Sequence, residues 1–234
     1  MATLYFKQLL AGRDFGRRDP VAGQMQNFVY LVGDRDTGEA LIVDPAWAVD
    51  ELVDLLEADG MRLAGALATH YHPDHVGGTM FGFTVEGLPR LMARSPCPVH
   101  AHRLEGEGIR KVTGLSTTDL TLHDSGDQVA VGGITVELLH TPGHTPGSLC
   151  FRLKSALIAG DTLFLQGCGR VDLPGGDPDE MYTTLTQRLG SLPADTVLYP
   201  GHAYGGESAD MGTVRRTNPY LRVPDLQTWR RFMR

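Results

Sequence analysis

The sequence predicts an α/β (α+β) chain in which two sheets lie between helices, and three features predict it. Short β-branched and aromatic runs follow in the order β-β-α-β and then β-β-β-α-β. Two stretches, from Val49 and from Asp177, carry apolar residues at helical spacing between those runs. Several strands run straight into turns rich in His and Asp, at the carboxyl ends of strands where α/β proteins place their chemistry.

Residues 4–10 and 28–33 read as strands, being short, β-branched or aromatic and bounded by turn residues. The polar stretch between them, residues 12–26, reads as a mobile, solvated connector without a catalytic part. Asp34-Arg35-Asp36-Thr37-Gly38 is a turn, and residues 40–45 form a buried strand stopped by Pro45, so a hairpin results. Asp44 closes that apolar strand, where an unpaired carboxylate is costly; capping a turn is one way to pair it. Val49, Leu52, Val53 and Leu56 fall at i, i+3, i+4 and i+7 of a helix ending near Gly60. The strand over residues 63–69 follows.

Residues 79–125 show no clean period, and Pro96-Cys97-Pro98 breaks the chain within them. Val99-His100-Ala101-His102 holds a second H-x-H but no carboxylate beside it, so His100 and His102 are expected at a surface strand end, outside any site. His123 and His140 stand singly and are expected to be structural or solvated. Val129 and Val131, then Ile134, Val136 and Leu138, alternate on two strands joined by Gly132-Gly133. Residues 149–153 and 156–159 are further strands, with Cys150 a small core residue. Asp177 N-caps a helix with Pro178 at its first position and Glu180 three residues after the cap; Met181, Leu185 and Leu189 form its buried stripe. Residues 196–199 are the last strand.

No low-complexity linker or repeat divides the 234 residues, so one domain, 1–234, is expected. With 41% hydrophobic and 21% charged residues the composition is that of an ordinary globular protein. Cys97, Cys150 and Cys168 are odd in number and scattered, which fits a reducing, cytoplasmic compartment better than a disulfide framework. No signal-peptide pattern and no membrane-length apolar run is read. A net charge of −7 without a basic cluster argues against a nucleic-acid partner and leaves a small-molecule substrate.

The centre of the sequence is Thr69-His70-Tyr71-His72-Pro73-Asp74-His75, four metal-capable side chains at the end of an apolar run. In an extended loop alternate side chains point the same way, so His70 and His72 can grip one ion while Asp74 and His75, past the Pro73 bend, face another. A structural zinc would want four closed ligands, often cysteines, and no Cys lies nearby.

This H-x-H-x-D-H stretch, with Thr141-Pro142-Gly143-His144, Gly160-Asp161-Thr162-Leu163-Phe164 and Pro200-Gly201-His202-Ala203-Tyr204, resembles the metallo-β-lactamase superfamily over nearly the whole chain. The resemblance implies a four-layer αββα sandwich and a metal-dependent hydrolase. It implies that His70, His72 and His144 ligate a first metal, Asp74, His75 and His202 a second, that Asp161 bridges them, and that Asp44, whose other role is to cap a turn, braces the metal-bearing loop. Two divalent transition-metal ions follow, zinc first, with iron or manganese as the other choices. Asp74 and Asp161 are the catalytic carboxylates of this reading, and a metal-bound hydroxide, from water acidified to a pKa of about 7, is its nucleophile. Covalent catalysis is not expected, because Gly-x-Ser-x-Gly is absent and Cys168 has no assignable His partner.

The blocks G-D-T-L-F, G-C-G-R, D-E-M-Y and P-G-H-A-Y are most similar to the glyoxalase II group. They imply a thioesterase acting on a small thiol-derived ester, glutathione-derived esters among them, with Arg170 and Tyr204 as substrate-binding residues. A surface ion pair accounts for Arg170 equally well. About thirty residues follow His202, which fits the shorter glyoxalase-like hydrolases. Gly169-Arg170-Val171-Asp172, Asn218-Pro219-Tyr220-Leu221 and Lys7-Gln8-Leu9 also resemble the persulfide dioxygenases. That alternative implies one Fe(II) on His70, His144 and Asp161, oxidising glutathione persulfide to sulfite. A non-catalytic metal-binding module is the third reading.

Overall fold

The computed structural model describes residues 2–233. The first six-stranded sheet takes β1 (Leu4–Leu10), β2 (Phe28–Asp34), β3 (Glu39–Val43) and β4 (Arg62–Leu67). After a small hairpin of β5 (Gly78–Met80) and β6 (Phe83–Val85), β7 (Val99–His102) and β8 (Leu120–His123) complete it. The second takes β9 (Gln128–Val131), β10 (Ile134–His140), β11 (Leu149–Leu153), β12 (Ala156–Ile158), β13 (Val197–Tyr199) and β14 (Ala209–Asp210). In the first sheet β1, β2 and β3 are antiparallel, while β3, β4, β7 and β8 run parallel. The second sheet is antiparallel except at β12 and β13.

Alternation along a strand explains the layers. In β2, Val29 and Leu31 face helices, whereas Phe28, Tyr30 and Val32 pack with Val136, Leu138 and Phe151 of the other sheet. Over the outer face of the first sheet lie α1 (Pro20–Met25), α2 (Val49–Ala58), α3 (Pro73–Val76), α4 (Gly87–Arg94) and α5 (Gly106–Thr113). Over the outer face of the second lie α6 (Pro178–Thr183), α7 (Met211–Thr217) and α8 (Leu226–Phe232), with Met181, Leu185, Leu189 and Trp229 against Cys150 and Leu157. The architecture is the expected αββα sandwich. Among the described residues no helix is long and apolar enough to cross a membrane.

Several expectations are corrected. Residues 12–26 are not all connector: Asp19 Oδ1 accepts from the N–H of Val21 (2.8 Å) and Ala22 (3.2 Å), and Pro20 opens α1. Residues 79–125 hold a hairpin, two helices and two strands of the first sheet. Each helix has eight residues and buries only two or three of them, too few to set up a period. β14 follows β13, so residues 196–199 are not the last strand. His102 does end β7, but neither it nor His100 lies at the surface: β7 runs between β4 and β8, and His100 is half-buried. His102 is buried and stacks on His140 at 4.0 Å between ring centroids, and His100 Nδ1 lies 3.0 Å from His123 Nε2. The four histidines outside the motifs therefore pair with one another.

Candidate metal centre

Pro73 shapes the first ligand loop. A proline disfavours helical backbone in the residue before it, so His72 stays extended (φ −67°, ψ 143°) while α3 begins at Pro73. His70 and His72 consequently leave the end of β4 on one side of the bend, and Asp74 and His75 sit on the first turn of α3 on the other. His144 arrives on the turn between β10 and β11, Asp161 just after β12, and His202 just after β13. All seven expected ligands converge between the carboxyl-terminal ends of the two sheets.

Their atoms fall into two adjoining sets. His72 Nδ1 lies 3.1 Å from His70 Nε2 and 3.0 Å from His144 Nε2, and this triad can hold an ion. His75 Nε2 lies 3.3 Å from His202 Nε2, and each is 3.4 Å from Asp74 Oδ2, forming a second such triad. Asp161 stands between them: Oδ1 is 3.3 Å from His75 Nε2 and 3.4 Å from His202 Nε2, while Oδ2 is 3.7 Å from His144 Nε2. A Cβ on Gly201 would stand 2.5 Å from Asp161 Oδ1, so only glycine lets the His202 turn approach so closely.

The outer nitrogens are held by the protein, and that settles what the inner ones offer. His144 Nδ1 donates to the Arg170 carbonyl (2.7 Å), His202 Nδ1 to the Met25 carbonyl (2.7 Å) and His75 Nδ1 to Asp44 Oδ2 (2.9 Å). Thr69 Oγ1 donates to Asp44 Oδ2 at 2.7 Å, which leaves its lone pair for His70 Nδ1 at 3.0 Å. In each case the network assigns the proton to Nδ1 and turns Nε2 inward, the usual second contact of a metal-binding imidazole. Asp44 also accepts from the Thr69 N–H at 2.8 Å. It braces the ligand loop, which decides between the two roles open to it from sequence.

Burial and the neighbouring His75 hold His70 well below its ordinary value, and burial and His144 bring His72 down to about 4, so these two present neutral imidazoles. Burial depresses His75 and His202 too, but the Asp161 and Asp74 carboxylates together outweigh it, lifting His75 well above the ordinary value and His202 to about 10. The two carboxylates, against the burial that raises them, are held low by the same imidazoles. Asp161 Oδ1 is buried and has no hydrogen-bond partner. An orphaned carboxylate oxygen amid inward-facing imidazoles fits a transition-metal cation, which suits imidazole and carboxylate donors.

Two residues without a sequence signal complete the centre. Asn27 Oδ1 accepts from Trp47 Nε1 (2.9 Å), which fixes its amide so that Nδ2 donates to Asp74 Oδ2 (3.1 Å), and its backbone bridges to His202. Glu105, fully buried, accepts from the Tyr71 N–H (2.8 Å), Thr145 Oγ1 (2.9 Å) and the Gly147 N–H (2.7 Å). One carboxylate thereby ties the His70–His72 loop to the His144 loop. Each lies far in sequence from what it touches, so no local spacing announces it.

A cavity of about 550 Å³ opens over the centre, floored by His72, Asp74, His144, Asp161 and His202. Arg170 and Tyr204 both line it, and the Tyr204 ring stacks on His202 at 4.7 Å. Arg170 also grips Asp172, with Nε at 2.9 Å and Nη2 at 2.7 Å. Cys168 lines the cavity as well, but burial pushes its thiol up to about 12 and keeps it protonated, a poor nucleophile.

A family profile described as the metallo-beta-lactamase superfamily matches residues 22–202. The hydroxyacylglutathione hydrolase of Nitrosococcus oceani is 38% identical over 190 residues, which are 78% of this chain and 64% of that protein. Persulfide dioxygenase ETHE1, mitochondrial, of Homo sapiens is 34% identical over 198 residues, 83% of this chain and 71% of that one. The crystal structure of ETHE1 from Myxococcus xanthus matches with a TM-score of 0.78 at 28% identity, covering 98% of this chain and 89% of that chain.

Proposed function

The chain belongs to the metallo-beta-lactamase superfamily, and from that premise we propose that it is a metal-dependent hydrolase of small thioesters, of the glyoxalase II kind, working with two divalent transition-metal ions. The observation that carries this reading is the Asp161 carboxylate, with an oxygen turned to each triad and the buried one lacking a hydrogen-bond donor. His70, His72 and His144 would hold one ion, Asp74, His75 and His202 the other, and Asp161 both. Zinc is the first choice, with iron and manganese as alternatives. Bound there, the ions supply a polarised thioester carbonyl and water acidified to a pKa of about 7.

The chain's own residues do the positioning. Asp74, whose Oδ2 already accepts from Asn27 Nδ2, would as an ionised ligand align water as a hydrogen-bond acceptor rather than take its proton. Water oxygen joins the carbonyl carbon, the C–S bond breaks, and the products are a carboxylic acid and a thiol. Tyr204 contacts the substrate through its ring and Arg170 through its apolar stem.

A second reading, oxidation of glutathione persulfide to sulfite on one Fe(II), is favoured by the similarity to ETHE1 in sequence and fold. The test is the full chain loaded with zinc or Fe(II), offered thioesters in one assay and glutathione persulfide under an oxygen electrode in another. Chelator-sensitive thioester hydrolysis with up to two metals per chain and no oxygen uptake is expected. Oxygen uptake with one iron and no hydrolysis replaces the first reading by the second; activity in protein free of zinc, iron and manganese overturns both.

A further inference from the structure

The wall of the cavity is of a different character from its floor. Met80 and Phe81 line it from the β5–β6 hairpin, Met25 from the end of α1, and Phe164, Leu173 and Tyr204 from the second half of the chain. Arg170 is the one Lys or Arg among the described residues lining it, and its fork already holds Asp172. A substrate carboxylate would have to displace one already in place.

Phe81 is the telling residue. Met80 pairs with Phe83, so Phe81 and Gly82 alone form the hairpin turn, and both have positive φ, 48° and 82°. Such two-residue turns favour Asn, Asp and Gly, and a bulky aromatic at positive φ is a strained outlier. The ring is 86% exposed, so burial within the fold does not repay that strain. Strain of this kind clusters at ligand-gripping sites, and here Phe81 lines the same cavity as Asp74 and His72.

Resting on the thioesterase reading, we infer that the substrate is a thioester with an apolar acyl chain, packed against Met80 and Phe81, and with an uncharged thiol portion, in preference to the carboxylate-bearing glutathione. Hydrolysis adds water across the C–S bond, releasing the fatty or other apolar carboxylic acid and the free thiol. The flexible thioethers of Met25 and Met80 let the wall accept acyl chains of differing shape.

The test uses the metal-loaded full chain and N-acetylcysteamine thioesters from acetyl to octanoyl, with S-lactoylglutathione alongside. Each added methylene is expected to raise kcat/KM about two- to fourfold, the yield of partly to fully burying it. F81N puts a residue suited to the turn in place of the aromatic: Tm is expected to hold or rise, while kcat/KM falls about tenfold for octanoyl and less than threefold for acetyl, the loss expected for an apolar side-chain contact. Titration calorimetry with S-octyl-N-acetylcysteamine against S-methylglutathione should show the former binding at least about tenfold tighter, on the same apolar-burial arithmetic. A flat chain-length profile, an F81N loss equal for all chains, or tighter binding of the glutathione thioether overturns the inference. Absence of any thioester hydrolysis sinks the thioesterase reading instead, and calorimetry still decides the character of the wall.

Discussion

The two ligand triads are joined across the same gap between the sheets, yet different chemistry joins them. In the first, His70 and His72 leave β4 and His144 leaves β10, and the clamp between their loops is an anion, Glu105, with three donors on its two oxygens. In the second, Asp74 and His75 ride on α3 and His202 follows β13, and the clamp is a neutral amide, Asn27, held by Trp47. Asp44 serves both, through Thr69 to His70 and directly to His75. The geometry of the centre therefore resides as much in these cross-links as in the ligands, and the two halves should respond differently when a link is cut.

The largest effect is expected where the comparison is sharpest, at Asp74. If both triads work in hydrolysis, Asp74→Ala removes a ligand of the second and should lower kcat/KM at least on the order of a thousandfold. If the first triad and Asp161 suffice, Asp74 is an outer partner and the loss should stay about ten- to a hundredfold. Kinetics with zinc content measured on the same sample separates the two, and substantial thioesterase activity in D74A with one metal would show the triads to be unequal.

Next comes Glu105→Gln. Oε1 accepts from Thr145 and Gly147 and Oε2 from Tyr71, so an amide NH₂ must face at least one donor. An unsatisfied buried donor costs about 1–3 kcal/mol, and displaced outer partners of a metal site lose about ten- to a hundredfold in metal affinity. Tm and zinc affinity should fall together. A fall in Tm with unchanged metal affinity would reduce Glu105 to a fold-stabilising residue. Asn27→Ala should act less, about tenfold on metal affinity, because it orphans one donor and one acceptor rather than crowding three donors.

This ordering follows what the sequence could and could not disclose. The convergence of the seven candidate ligands was legible because four metal-capable side chains within six residues, and further His and Asp at the ends of apolar strands, are improbable without a shared purpose. Strands β9 and β10 were legible because alternation spans enough residues to be read, and β2 because a short β-branched and aromatic run lies between turn residues. α4 and α5 bury too few positions to set up a period, and the sheet that encloses His102 is a tertiary fact. Glu105 and Asn27 are single residues whose partners lie up to 175 positions away along the chain, so only folding brings their roles into view. Asp44 was half legible: an acid ending a buried strand needs a partner, but which partner depends on how α3 turns.

The smallest effect is the most discriminating for the neutral clamp. Trp47 is 2% exposed, and its Nε1–H is what keeps the Asn27 carbonyl turned away from Asp74. Trp47→Phe removes that donor and some volume, so it destabilises by a cavity contribution plus a lost hydrogen bond, the latter about 0.5–1.5 kcal/mol. It also frees the amide to rotate, and kcat/KM should fall by less than the tenfold lower bound for outer partners. In Asn27→Ala protein the sign of the hydrogen-bond contribution reverses: the indole N–H is already orphaned there, and removing it relieves a penalty of about 1–3 kcal/mol. The cavity contribution is common to both backgrounds and cancels in the double-mutant cycle. W47F should therefore destabilise N27A protein at least about 1 kcal/mol less than it destabilises the parent. Equal losses of Tm and unfolding free energy in the two backgrounds would mean that Trp47 is merely packing, and that the second triad takes its geometry from α3 and the His202 turn alone.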